Sequence, residues 1–345
     1  MNAGTPSECG YRWPAEWETH EATWIAWPHN HDTWPGHFEG IPEIFAELIR
    51  AIARFEPVHI LAGGQRVMQQ ATAMVGELPE VTLHDIPTND AWIRDYGPTF
   101  LGNRNTSQIT AVHWEFDSWG GKYPPWDLDN AAAARMAEVM NWHSFDGPAV
   151  LEGGAIDGNG QGVVMTTESC LLDLRRNAMI TRRDMERILG DYLGAQRVVW
   201  LPGGAIAGDD TDGHIDQLAR FVGPQHLVVA TEENEEDENY VPLAENLARL
   251  TKIREESWPE LEVTRLPTPK PIYFEQQRVP ASYCNFYIVN GGVVVPQFED
   301  AADHLALETL TQVFPAREVV GLPARQLVWG LGAFHCLTQQ QPREA

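Results

Sequence analysis

The chain has 345 residues, of which 24 are basic and 49 acidic, giving a formal net charge of -25 with 43% hydrophobic residues. Such a charge argues against phosphate backbones and anionic membranes, so neither a nucleic acid nor a membrane is an expected partner, whereas a cationic ligand is compatible with it. No stretch approaches the roughly 20 apolar residues of a bilayer span, and "MNAGTPSECGYRW" lacks the pattern of a secretion signal, so a cytoplasmic location is expected.

Short apolar runs alternate with segments of helical spacing. In chain order, "IPEIFAELIRAIARF" (41–55) predicts a helix, and "PVHILA" (57–62) and "VTLHDI" (81–86) predict strands. A helix is expected at 129–142, a strand at 162–167, a helix at 181–193 and strands at 197–201 and 226–230. The remainder reads as a helix at 241–256, the strand run "FYIVNGGVVVPQF" (286–298), a helix at 303–314 and a strand "RQLVWG" (325–330). This alternation means an α/β fold. "EGGAID" (152–157) and "PGGAIA" (202–207) share GGAI at an offset of 50, a weak sign of repeated units. No linker divides the chain. One domain over 10–342 is expected, with 1–9 a flexible amino end. The acidic run "EENEEDENY" (232–240) reads as a solvated loop.

Four stretches could carry chemistry. "NDAWIRDYGPTF" (89–100) places Trp92, Arg94 and Asp95 at a strand end. It is either a buried Arg-Asp pair bracing a turn or an aromatic plate and an acid that hold a planar cation. Strand alternation would send Arg94 and Asp95 to opposite faces. In "LEGGAID" (151–157), Glu152 precedes a double glycine that lets something approach the backbone closely. In "GDDTDGHIDQ" (208–217), His214 and Asp216 would share one face of a strand, and a nearby carboxylate suits a histidine to proton transfer. The calcium-loop spacing fails there, because the twelfth position is Ala219. "GLGAFHCLTQQQP" (330–342) holds Cys336 in a glycine-built loop, with His335 expected to point away from it. Cys9, Cys170 and Cys284 read as structural or loosely placed, and no cysteine spacing suggests zinc.

Together these stretches resemble one family, the agmatine deiminases and the related bacterial peptidylarginine deiminases of the guanidine-modifying, or pentein, superfamily. The resemblance starts at "WPAEWETHEATWIAWPHN" (13–30) and runs through "NDAWIRDYGPTF", "WEFDSWGGKY" (114–123), "LEGGAID" and "DTDGHID" to "HCLTQQQP". It implies an α/β propeller of five blades with pseudo-fivefold symmetry around a central site. It implies Cys336 as nucleophile, His214 as acid and base, Asp95 and Asp216 as the guanidinium clamp, and Glu152 as the histidine's helper. Trp92 would line the guanidinium slot, Trp119 its entrance, and Arg94 would be structural. The implied reaction is hydrolytic deimination, with agmatine the first-choice substrate, through an amidino-cysteine intermediate. No metal or organic cofactor is required. A homo-oligomer is left open.

The sequence departs from the agmatine pattern of three glycines followed by Asn-Ile-His-Cys at Leu331, Ala333 and Phe334, and it reads "HDTWPG" after "WPHN". These departures leave the substrate's tail undecided among agmatine, arginine and peptidylarginine. Readings from other classes are a cysteine amide hydrolase, a glycosidase suggested by the 13 tryptophans, and a guanidine-binding protein without turnover.

Overall fold

The computed structural model describes residues 4–103 and 105–343. The expected flexible amino end therefore lies partly outside the described residues. Within it, Ser7 N donates to Asp191 O at 3.0 Å and Cys9 N to Thr5 O at 3.1 Å.

Five sheets share one construction. A first strand pairs antiparallel with a second, a helix crosses over, and a third strand joins the second in parallel, as a parallel pairing requires. The ranges are Thr99–Asn103, Gln108–Glu115 and Ser144–Val150, followed by Ile156–Gly158, Val163–Thr167 and Arg197–Leu201. Next come Ala219–Gly223, His226–Thr231 and Glu262–Pro267, followed by Tyr287–Val289, Gly292–Gln297 and Glu318–Pro323. In the remaining sheet the first strand comes from the far end of the sequence. Gln339–Pro342 pairs antiparallel with His20–Ala26, which continues in parallel to Val58–Leu61 and Val81–His84. A separate hairpin joins Ile272–Phe274 to Gln277–Val279.

The crossover helices follow local rules. Ile41–Ile52 has proline in its first turn and buries Ile41, Phe45, Leu48, Ile49 and Ile52 along one stripe. Arg182–Leu193 opens with a capping box between Thr181 and Asp184 and ends on Gly194 at φ 73°. Among the described residues, no helix is long and apolar enough to cross a membrane. Trp24, Trp27, Trp34 and Phe45 are fully buried in the larger of two apolar clusters.

Four expectations need correction. "RQLVWG" is not a strand: Leu327–Gly330 is a 3-10 turn, tied down by Trp34 Nε1 donating to Leu327 O at 2.8 Å and by Trp329 Nε1 donating to Pro35 O at 3.0 Å. Asp95 is not at a strand end but in the helical turn Ile93–Tyr96. His214 caps the 3-10 turn Ile215–Gln217, which also carries Asp216. The GGAI motif is no structural repeat either, since 152–157 leads into a first strand while 202–207 follows a third one.

What does repeat is a turn ahead of each first strand. Asp95 precedes Thr99–Asn103, Glu152 and Gly154 precede Ile156–Gly158, and His214 and Asp216 precede Ala219–Gly223. Asn285 precedes Tyr287–Val289, and Cys336 precedes Gln339–Pro342.

Candidate active site

These turns converge. Glu152 and Asp216 are 0% exposed, His214 1%, Asp95 4% and Cys336 5%, so all five candidates are buried together. A cavity of about 760 Å³ opens onto them, with Trp92, Asp95, Trp119, Gly332 and Cys336 in its wall. Glu152, His214 and Asp216 lie one layer further in.

Cys336 Sγ is 3.5 Å from Asp216 Oδ2 and accepts from Asn285 Nδ2 at 3.2 Å. Asn285 Oδ1 accepts from the backbone N–H groups of Ala333, His335 and Cys336 at 3.1, 3.1 and 3.3 Å, and so shapes the whole cysteine loop. Asp95 Oδ1 accepts from Gly154 N at 2.9 Å, and its Oδ2 accepts from Trp119 Nε1 at 2.9 Å. His214 Nδ1 is 3.7 Å from Asp95 Oδ1, beyond hydrogen-bond reach. Glu152 Oε1 accepts from Arg176 Nε at 2.7 Å, and Arg176 also reaches Asp212 Oδ2 at 2.7 Å.

Gly154 sits at the focus. A Cβ there would come within 2.7 Å of His214 Nδ1, 2.8 Å of Asp95 Oδ1 and 3.0 Å of Asp216 Oδ2. Glycine keeps that space open.

The two aspartates differ electrostatically. Burial pushes the Asp95 carboxyl well above its ordinary value, and the nearby Asp216 and Glu152 charges add to this. Burial also opposes the Asp216 charge, but the hydrogen bond and charge of His335, with His214 and Arg220, hold it below its ordinary value. Burial raises Glu152 despite Arg176. It lowers His214 to about 3, against the pull of Asp216. It raises the Cys336 thiol well above its usual range, helped by Asp216 and Asp95 and opposed by the Asn285 hydrogen bond. Burial thus favours the neutral form of both the thiol and the imidazole.

Among the candidate residues, four buried atoms have no hydrogen-bond partner within the described residues: Asp216 Oδ1, Glu152 Oε2 and both ring nitrogens of His214. Buried polar atoms are rarely left so, and four of them around one focus mark the place of a polar ligand.

One group of potential metal ligands exists among the described residues. Donor atoms of Glu152, Cys170 and His214 lie within 4.8 Å of one another. The Arg176 guanidinium bonded to Glu152 opposes a second cation there, so these residues fit a metal ion poorly. The four cysteines are all unpaired.

Sequence reasoning missed three participants. Asn285 lay hidden in "YCNFYIV", where an amide inside an apolar run was the signal. His335 does not point away from the site, because its Nδ1 lies 2.7 Å from Asp216 Oδ2. Arg176 had no motif. Arg94 is structural as expected, with Nε donating to His335 O at 3.2 Å and Nη1 to Gln340 Oε1 at 2.7 Å.

Fold and site define a mixed α/β protein with a buried thiol, imidazole and acid cluster at the bottom of a cavity. The chain matches the family model described as Porphyromonas-type peptidyl-arginine deiminase over residues 12–342, and it belongs to that family. The agmatine deiminase of Pseudomonas aeruginosa (strain LESB58) is 38% identical, with 98% of this chain and 97% of that protein covered. The agmatine deiminase of Pseudomonas syringae pv. tomato is 36% identical, with the same 98% and 97% covered. The solved agmatine deiminase of Enterococcus faecalis superposes with a TM-score of 0.93 at 34% identity, covering 100% of this chain and 99% of that one.

Proposed function

We propose that this chain hydrolyses the guanidinium group of agmatine to N-carbamoylputrescine and ammonia. The observation that carries this reading is the set of unpartnered buried atoms on Asp216, Glu152 and His214, beside a carboxyl and a thiol. A guanidinium offers five N–H donors in a plane, and two carboxylates on either side can hold it.

The guanidinium brings a positive charge between Asp95 and Asp216, beside the thiol. It favours ionised Asp95 and the thiolate of Cys336, and the thiol proton passes to His214, whose ring faces Asp95 and Glu152. Sulfur attacks the guanidinium carbon to form a tetrahedral adduct. The C–N bond then breaks, its electron pair leaves with nitrogen, and His214 supplies the proton that releases ammonia. Water attacks the resulting amidino-cysteine while His214 takes its proton. The C–S bond breaks, and the ureido product leaves. Trp92 packs against the slot and Trp119 orients Asp95 through its indole N–H.

Agmatine is favoured over arginine by the cavity wall. Lys122 is the one lysine or arginine among the described lining residues, and its Nζ is already engaged by Asp212 Oδ2 at 2.8 Å and by Asp210 O. A substrate carboxylate would find no free cation, whereas Asp32, Asp90 and Asp210 suit an ammonium.

The same reading takes the five sheets as blades of a pseudo-fivefold propeller in one domain over 10–342, with the site on its axis. It places the enzyme in the cytoplasm, where free thiols persist.

The test is ureido-product formation from agmatine, arginine and an arginyl peptide side by side, with Cys336→Ala as control. Turnover of agmatine that vanishes in Cys336→Ala, while agmatine binding survives, is expected. Binding without any ammonia release in the wild type would instead favour a guanidine-binding protein.

A further inference from the structure

Glu16 lies in the segment ahead of the first described strand, and the reaction above does not use it. It is buried, 7% exposed. Its Oε1 accepts from Ile288 N at 2.7 Å, while its Oε2 accepts from Arg220 Nη2 and lies 3.0 Å from His335 Nε2. On the other side of the same ring, Nδ1 is 2.7 Å from Asp216 Oδ2. His335 therefore stands between two carboxylates.

A neutral imidazole has one donor nitrogen, and an ionised carboxylate only accepts. A ring that donates to both acids carries a proton on each nitrogen. The charged groups around it come from several elements. Glu16 precedes His20–Ala26, Asp216 lies in Ile215–Gln217, Arg220 lies in Ala219–Gly223, and Arg94 in Ile93–Tyr96 holds the His335 carbonyl. Arg220 in turn donates to Asp157 Oδ2 at 2.7 Å.

We propose that Glu16 and His335 are a positioning pair for deimination: Glu16 fixes the His335 ring, and the ring occupies Asp216 Oδ2 so that Oδ1 stays free for the guanidinium. This rests on the function proposed above. The pair explains why the two clamping aspartates behave oppositely. Asp216 has the His335 ring 2.7 Å behind its Oδ2, whereas the oxygens of Asp95 are met by Gly154 N and the Trp119 indole. Oδ2 is also the oxygen 3.5 Å from Cys336 Sγ. A ring donating to that oxygen weakens its hold on the thiol proton.

The test compares His335→Gln and Glu16→Gln, each in the Cys336→Ala background, by agmatine calorimetry between about pH 5 and pH 9. In the parent, binding weakens toward the acid end as Asp95, whose charge burial opposes, takes up a proton. In His335→Gln, Asp216 joins it, and the dependence of log Kd on pH becomes steeper by about one per pH unit than in the parent. Glu16→Gln shifts the same way, and combining both changes adds less than about twofold in Kd to His335→Gln alone. With Cys336 intact, kcat/KM at about pH 6 falls at least tenfold in His335→Gln while the loss at about pH 9 is smaller. An unchanged slope with a uniform loss across pH would mean a purely structural role and would overturn the proposal. Should His335→Gln fail to fold, Glu16→Gln alone carries the comparison. A second readout needs no substrate. The nitrogen-15 signals of His335, assigned by its loss in a variant, should be those of a doubly protonated ring at neutral pH, and a neutral ring would refute the pair. Absence of agmatine turnover in the wild type would sink the deiminase reading separately, leaving the ring signal to judge the pair.

Discussion

Gly154→Ala places one methyl group where the candidate reacting groups meet. Its carbon would lie 2.7 Å from His214 Nδ1, 2.8 Å from Asp95 Oδ1 and 3.0 Å from Asp216 Oδ2. Ordinary contact begins at 3.4 Å, so the imidazole must retreat about 0.7 Å (3.4 Å less 2.7 Å) and the carboxylates somewhat less. Displacements approaching 1 Å in a reacting constellation cost about 100-fold in rate, or about 2.7 kcal/mol of barrier. The overpacking itself costs about 1–3 kcal/mol of stability. Of these side chains Asp95 borders the cavity while His214 and Asp216 lie behind it with less room to give way, so the middle of that range applies, about 2 kcal/mol, and Tm should fall by no more than about 5 °C. The measurements are kcat/KM from ureido-product formation and Tm of the same preparation. A folded Gly154→Ala protein within about threefold of wild-type kcat/KM would refute the claim that these three groups act from around this point.

Other outcomes follow from the same geometry. Trp119→Phe keeps the ring but removes the N–H that Asp95 Oδ2 accepts at 2.9 Å, so kcat/KM should fall about tenfold, the worth of one hydrogen bond to a charged group. An undiminished kcat/KM would show that the indole N–H does not matter. Because burial, with the nearby Asp216 and Glu152 charges, favours the protonated form of Asp95, agmatine binding to Cys336→Ala should release protons. Calorimetry in buffers of different ionisation heat reads this, and a heat independent of buffer would contradict it. Burial, with Asp90 adding, lifts Asp129 to about 8, so the folded protein keeps a proton there that the unfolded chain has already released. Stability contributed by that proton is present at low pH and is lost as pH rises from about 4 through about 8. Asp129→Asn can still accept from Asn89 N and Asp90 N through Oδ1, so its Tm should match wild type near pH 4 and exceed it near pH 8. Parallel Tm curves across that range would refute the assignment.

The elements that could be read in the sequence were those with strong local patterns. The helices at 41–52 and 182–193 carry their own stripes and caps, and the strands at 163–167 and 226–231 are short β-branched runs. Strands such as Thr99–Asn103 and Gln339–Pro342 went unseen, because "TFLGN" and "QQQP" have no alternation and exist only through their pairing partners. The helix Gln65–Val75 was also missed, since "QRVMQQATAMV" buries only Ala71 and Val75. Of the site, Trp92, Asp95, Glu152, His214, Asp216 and Cys336 were legible because they stand in motifs. Strand alternation was the wrong reason for Asp95 and His214, whose orientation comes from short helical turns. His335 was misjudged for a similar cause: beside Cys336 in a tight turn rather than a strand, both side chains reach the same acid. Leu331, at a position where the resemblance implies glycine, holds a left-handed φ of 71°.

The strand at 339–342 closes on 20–26, with the indole of Trp24 bonded to Gln341 across 317 positions of sequence. Such a distant pairing is slow to find during folding. It also has a temporal meaning. While a ribosome has yet to reach residue 336, the early strand waits with an unpaired edge, and the candidate site lacks its cysteine. Completion of the candidate site and the sealing of that edge therefore come together, and a product stopped before residue 336 would carry an open strand edge.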